Sequence, residues 1–274
     1  MGDGRTMDGK RVLVTGSGTG IGREIALEFA RRGSAVALHY SHSGEGATSA
    51  VEEIRRSGGR AEAFAADFNH VAEARKLAAA ALKFLGGLDV LVNNAGVTMN
   101  LPIEKVTGEQ FDTLYRVNVR APFFLTQALV GPLAETRGAV INLSSIHALS
   151  GMPFHSVYAG TKGAIIACTR ELAIELAPRG IRVNCIAPGA VPVESHRGLV
   201  PVDPDELGGG IPAGFAGSPL DVARLAVFLA GEDARYILGQ TIVIDGGTTS
   251  WMSFGRGFRH PSDAPFGRGY VPGI

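Results

Sequence analysis

Tyr158 and Lys162 stand four residues apart in "YAGTK", and two serines, Ser144 and Ser145, open the same stretch, "SSIHALSGMPFHSVYAGTKGA". Residues at i and i+4 share one face of a helix, so the phenol and the ammonium can face one bound molecule. A free phenol has a pKa near ~10 and is seldom ionised at neutral pH. A lysine cation beside it favours the phenolate and draws that value down. Such a phenol gives a proton to a carbonyl or takes one from an alcohol, help worth roughly 10²–10⁴-fold. In an arbitrary helix the same pair would be ordinary and exposed, so its meaning depends on what else the chain carries. Serine hydrolysis by Ser144 or Ser145 with His147 is the rival chemistry. It lacks the Gly-x-Ser-x-Gly elbow and leaves the glycines described next unexplained.

"TGSGTGIG" (15–22) supplies a second function. Gly16, Gly20 and Gly22 let the backbone turn sharply and approach an anion, with Ser17, Thr19 and Ile21 between them. A helix opening there would aim free N–H groups and partial positive charge at a phosphate. A glycine pattern is informative only between a strand and a helix, and this one has that context. Where NAD is selected, an acid closes the second strand against the ribose 2′-hydroxyl. Here Tyr40 or Ser41 fills that place in "ALHYSHSGEG", with no acid to repel a 2′-phosphate and no Arg or Lys to grip one. The expected cofactor is NADP, with NAD the other nucleotide. His39, Ser41 and His42 could donate hydrogen bonds, although a histidine at a strand end usually reads as solvated surface.

The elements that would position these groups alternate along the chain. Apolar, β-branched runs at 11–16, 35–40, 61–68, 88–96, 138–145, 181–189 and 241–247 read as strands. Helical patterns lie between them at 22–33, 46–58, 73–86, 108–131, 156–177 and 219–231. Near-continuous apolar strands with helical crossovers imply a parallel sheet covered on both faces, doubly wound, with ligands at the carboxyl ends of the strands. Residues 190–217, rich in Pro and Gly, read as a lid or binding loop. Residues 251–274 carry the only Trp, three Phe and a Tyr, more aromatics than a solvated tail needs. They are expected to dock on their own subunit or a neighbour.

With these pieces placed, the sequence resembles the short-chain dehydrogenase/reductase family through "TGSGTGIG", "NNAG" (93–96), "YAGTK" and "PG" (188–189), over roughly residues 8–250. The resemblance implies a single Rossmann-type domain (1–250) followed by a C-terminal extension (251–274). It implies a catalytic tetrad of Asn118, Ser145, Tyr158 and Lys162, and so selects Ser145 over Ser144. It sets Asp67 against the adenine, with Phe68 as a neighbouring cofactor contact, has Asn94, Ala95 and Gly96 close the adenine side and support the central sheet, and counts Pro188, Gly189 and Val191 as cofactor contacts, Val191 through its backbone at the carboxamide. The family's threonine near the carboxamide is replaced here by Val193. Ser145 would hold the substrate oxygen, and Asn118 would position a relay water. Family members are dimers or tetramers, so a homo-oligomer is expected.

The remaining properties narrow the function further. Lys and Arg total 26 against 26 Asp and Glu, which gives no reason to expect nucleic acid or an anionic membrane as partner. No run is long enough to span a bilayer, no secretory leader precedes the first strand, and a cytoplasmic protein is expected. Cys168 and Cys185 sit in apolar runs and read as free thiols. No metal site is expected. His147, Met152, His155, Glu194 and His196 flank the active serine, the tyrosine or the loop and give the rim a polar character. The expected substrate is therefore a small polar molecule such as a sugar or polyol, with His147, His155 and Glu194 as contacts beside Ser145 and Tyr158. A 3-oxoacyl or other ketone is the alternative, and a nucleotide sensor without turnover is the alternative from another class.

Overall fold

The computed structural model describes residues 7–193 and 208–251. Glu194, His196 and the tail from 252 onward lie outside the described residues, and so does the expectation that the tail docks.

Seven strands, β1 (Arg11–Val14), β2 (Ala35–Tyr40), β3 (Ala61–Ala65), β4 (Val90–Asn93), β5 (Ala139–Leu143), β6 (Arg182–Pro188) and β7 (Thr241–Ile244), form one sheet in the order β3-β2-β1-β4-β5-β6-β7. Every neighbouring pair is parallel. The helices between them are α1 (Gly20–Arg31), α2 (Gly44–Arg56), α3 (Val71–Leu85), α4 (Gly108–Tyr115), α5 (Ala121–Thr136), α6 (Ser156–Leu176) and α7 (Pro219–Ala230).

Side chains alternate across each strand, which explains why both faces are apolar. Val12, Val14, Val90, Val92, Ile141 and Ile186 pack with α1, α2 and α7. Leu13, Leu91, Val140 and Val183 pack with α3, α5 and α6. All five β5 residues are buried. The expected doubly wound α/β domain is what forms. The sequence runs outward from β1 in one direction through β2 and β3, then returns to β4 on β1's other side. The crevice between the ends of β1 and β4 is thus the point where bound ligands sit in such sheets.

The helix expected over 108–131 is two helices. One turn of π-helix, Arg116–Arg120, separates α4 from α5. Such turns insert an extra residue and often occur at functional sites. Here the turn carries Asn118 inward, where it is 1% exposed. Among the described residues no helix is long and apolar enough to cross a membrane.

Candidate active site

At the carboxyl ends of the strands lies a cleft of about 1440 Å³, floored by the glycine turn and walled by the ends of β4 and β5, the start of α6 and residues 188–193.

The floor is tied across the switch point by side chains. The Asn94 amide Nδ2 donates to the carbonyls of Thr15 (2.9 Å) and Gly16 (3.0 Å). The Thr15 hydroxyl accepts the backbone N–H of both Asn94 and Ala95 at 3.0 Å and donates to the Val92 carbonyl at 3.2 Å. Gly16 has φ +64° and Gly20 φ +56°. A Cβ at Gly16 would stand 2.7 Å from the Ala95 Cα. The chain must therefore turn left-handed and pass close to its neighbour, and glycine alone does both without strain. α1 begins at Gly20. Its N-cap Thr19 makes no side-chain capping bond, and its first turn holds no acid. The first-turn N–H groups thus face the cleft with their partial positive charge uncompensated, as a phosphate seat requires.

The wall that bears Ser145, Tyr158 and Lys162 is built by β5 and α6. Ser144 donates its hydroxyl to the Lys162 carbonyl (2.8 Å), and Lys162 Nζ donates to the Leu143 carbonyl (2.9 Å), so strand and helix hold each other. That use of Ser144 leaves Ser145, at the cleft, to meet a substrate. The Ser145 hydroxyl accepts the His147 backbone N–H at 3.3 Å. The His147 ring lies 4.6 Å from that of His155, tilted by 31°, and edge-on to Tyr158 at 5.5 Å, an arrangement that gives no support to the hydrolase reading. Asn118 lies behind Lys162. Its side chain exchanges bonds with the Val97 backbone (2.8 Å each) and donates to the Thr161 hydroxyl (3.0 Å), which donates to the Tyr158 carbonyl (2.7 Å). The Gly96 Cβ position is 3.2 Å from Asn118 Oδ1 and 3.6 Å from Lys162 Nζ. The four tetrad residues therefore converge, with Asn118 reaching the others through Thr161 and Gly96.

The electrostatics depart from the sequence expectation. Lys162 Nζ lies 5.5 Å from the Tyr158 ring centroid. Yet burial raises the Tyr158 pKa above its ordinary value, with the Ser145 hydroxyl acting the other way. The expected lowering by the lysine does not appear. Burial instead acts on the lysine itself, pulling it down to about 8. A buried ammonium loses more by desolvation than its small polar neighbourhood returns.

Of the expected cofactor contacts, Gly16, Thr19, Gly20, Ile21, Ser41, Asp67, Phe68, Asn94, Ala95, Gly96, Pro188, Gly189 and Val191 line the cleft. Ser17 is fully buried and bonds β1 and β2 through the Val14 and His39 carbonyls. Tyr40 lies under α2, its ring 3.1 Å from a Cβ at Gly44, and does not line the cleft. Asp67 is held below the ordinary carboxylate range, first by the Asn69 backbone N–H. His39 is no surface residue. It is 2% exposed and supports the turn from beneath. The sequence reading also missed Thr15 as the hub of the floor, and it placed Val193 near the carboxamide without foreseeing that its side chain packs over Gly20, 3.2 Å from where a Cβ there would stand. Cys168 and Cys185 are free, as expected, and no group of metal ligands occurs among the described residues.

A family model described as enoyl-(acyl carrier protein) reductase matches residues 16–249. An oxidoreductase of Methylorubrum extorquens is 43% identical over 245 residues, 88% of this chain and 98% of that protein. A hydroxynaphthalene reductase-like protein of Metarhizium brunneum is 36% identical, covering 90% of this chain and 97% of its own. Among solved structures, a short-chain dehydrogenase from Burkholderia cenocepacia in complex with NADP superposes with a TM-score of 0.82 at 35% identity, covering 89% of this chain and 99% of that one.

Proposed function

The chain belongs to the short-chain dehydrogenase/reductase family, and from that premise we propose that it is an NADPH-dependent reductase of a ketone borne on a hydroxylated ring. The observation that carries this reading is a phenol kept protonated by burial, with Ser145 beside it and the Lys162 cation near its ring.

The cofactor fits the residues present. The uncapped start of α1 seats a pyrophosphate, and the close approach of Gly16 to Ala95 leaves no room for a side chain there. Ser41, His42 and Ser43 line the cleft beyond β2 with no carboxylate to exclude a 2′-phosphate, and the Burkholderia cenocepacia relative was crystallised with NADP. When bound, the nicotinamide supplies the hydride. The chain's own groups manage the proton. Ser145 donates a hydrogen bond to the carbonyl oxygen, Tyr158 gives that oxygen its proton, and Lys162 stabilises the phenolate left behind. Leu143 and Ser144 fix the lysine in place.

This division predicts opposite pH responses for rate and stability. Reduction needs Lys162 charged, so the rate is expected to hold through neutrality and fall as pH rises through about 8. Between about 8 and 10.5 the unfolded chain keeps the Lys162 proton that the folded chain has lost. Its contribution to stability therefore rises with pH, by on the order of 3 kcal/mol in all. Initial rates and melting curves over pH 6–10 check both signs. A rate that climbs through this window would exclude the assigned role.

For the substrate, the wall beside Tyr158 consists of two imidazoles. Burial first, and then His155, lower the His147 pKa, so this ring is uncharged at neutral pH. Flat rings with hydrogen-bonding edges suit a planar hydroxylated partner, in keeping with the hydroxynaphthalene reductase-like relative. The polar rim also favours the polyol reading. A panel of hydroxylated aromatic and cyclic ketones, 3-oxoacyl thioesters, aldoses and polyols, followed at the NADPH absorbance band, decides. Ring ketones are expected to lead in kcat/KM by tenfold or more, roughly the discrimination of one well-placed polar or apolar contact. A lead for aldoses or polyols would replace this reading, and nucleotide binding without turnover on any member would favour the sensor.

A further inference from the structure

His39, the next-to-last residue of β2, lies directly beneath the glycine turn, and each edge of its ring is engaged. The Gly16 backbone N–H donates to Nδ1 at 3.1 Å. Nε2 lies 3.1 Å from the Ala66 carbonyl, just past β3. A carbonyl only accepts, so Nε2 carries the proton and Nδ1 the lone pair. The ring face stacks on Phe68 at a centroid distance of 4.2 Å and an interplanar angle of 13°. The His39 backbone joins in as well, since its N–H donates to the Ser17 hydroxyl (3.0 Å) and its carbonyl accepts the Ser17 N–H (2.8 Å).

Three segments distant in sequence thus meet on one imidazole: the turn at Gly16, the end of β2, and the β3–α3 connection bearing Asp67 and Phe68. Gly16 and Phe68 both line the cleft. The ring is buried, and no charged side chain acts on it. Burial is the main influence, lowering its pKa to about 4, so the neutral form holds through the physiological range. Asp67, between Ala66 and Phe68 in the chain, is engaged by Asn69.

We infer that His39 is a positioning residue for the cofactor: its neutral, Nε2-protonated ring sets the spacing between the pyrophosphate turn and the adenine wall, and the lone pair at Nδ1 holds the Gly16 N–H in the turn. The two bonds contribute different things. The Nδ1 bond shapes the phosphate seat, and the Nε2 bond only tethers β3.

Two shorter side chains separate them. The Asn oxygen can occupy the Nδ1 position and keep the acceptor for Gly16, while the Gln amide can reach the Nε2 position and keep the donor for Ala66 but not the acceptor. Both lose the stack on Phe68, so both should lower the melting temperature to a similar extent. In titrations followed by NADPH fluorescence, without any substrate, H39Q is expected to raise the Kd roughly tenfold, the scale of leaving one partly buried donor unpaired. H39N is expected to stay within about threefold of wild type, well below that penalty. Long-range ¹H–¹⁵N spectra of the nucleotide-free protein should show the Nε2–H tautomer at neutral pH. Equal Kd changes in the two variants, including no change in either, would reduce His39 to a packing residue. An Nδ1–H tautomer would overturn the proposal outright. Because neither readout involves turnover, failure of the substrate reading leaves this test standing. A wild-type protein that binds neither NADPH nor NADH removes both.

Discussion

Replacing Tyr158 by Phe is expected to lower kcat for carbonyl reduction by about 10²–10⁴-fold or more, the scale of a lost general acid, with a much smaller effect on nucleotide affinity. The ring fills its place in both proteins, edge-on to His147 and near Lys162 Nζ. The backbone bond from Thr161 to the residue 158 carbonyl is untouched. Only the hydroxyl is lost, and with it the one proton donor between Ser145 and Lys162. Ser145 can still orient the carbonyl oxygen, but its hydroxyl is far less acidic than a phenol, and the Lys162 ammonium is anchored on the Leu143 carbonyl, 5.5 Å from the ring centroid. Stopped-flow rates and a parallel NADPH titration measure the two effects separately. A Phe protein that reduces its ketone at the wild-type rate would refute the assignment of the proton donor.

The second large effect is expected from Gly22→Ala. One methyl group there would stand 2.2 Å from the Gly16 carbonyl oxygen and 2.3 Å from Asn94 Nδ2. Neither can yield. The oxygen belongs to the turn itself, and the amide is fixed by two bonds to Thr15 and Gly16. The helix must move away from the turn, which opens the phosphate seat and overpacks the floor. Overpacking of this kind costs about 1–3 kcal/mol or more. For a chain of this size that lowers Tm by roughly 2–4 °C per kcal/mol. NADPH binding is expected to fall by at least about two orders of magnitude, since the seat's N–H groups lose their common direction. Gly163→Ala is the contrast. That glycine lies inside α6 with nothing beyond its own helix and chain neighbours within 4 Å of the added carbon, and it should gain about 0.5–1 kcal/mol. Calorimetry and fluorescence titration of both variants check the pair. Retained NADPH binding in the Gly22 variant would show that the turn is not the seat.

The sheet and the order of its elements were readable because buried parallel strands are continuous apolar runs, and β1, β4 and β5 are such runs. Tyr158 and Lys162 were readable because one helix carries both, so their spacing is a local quantity. Asn118 could be placed only by resemblance. Nothing in "YRVNVRAPF" announces a π-helical turn, which depends on bonds to Val97 and Thr161 made after folding. His39 was misread because its role comes from Gly16, Ala66 and Phe68, which meet it only in the folded sheet. Tyr40 was misread for a related reason: side chains alternate along β2, and the register that turns His39 inward sends Tyr40 under α2. The direction of the Tyr158 shift was missed because neighbouring charge can be inferred from spacing, whereas depth of burial cannot. Thr15 resembled any β-branched strand residue, and its hydroxyl's three bonds appear only when β4 lies alongside.

Those three bonds have a consequence for how such a protein can change. With Thr15 and Asn94 stitching the two turns together, the cradle beneath the dinucleotide behaves as one block, and altering any stitch disturbs the whole seat. The opposite bank, with His147 and His155, carries no such duty. A protein engineer seeking a new substrate should therefore diversify that bank and leave the cradle alone.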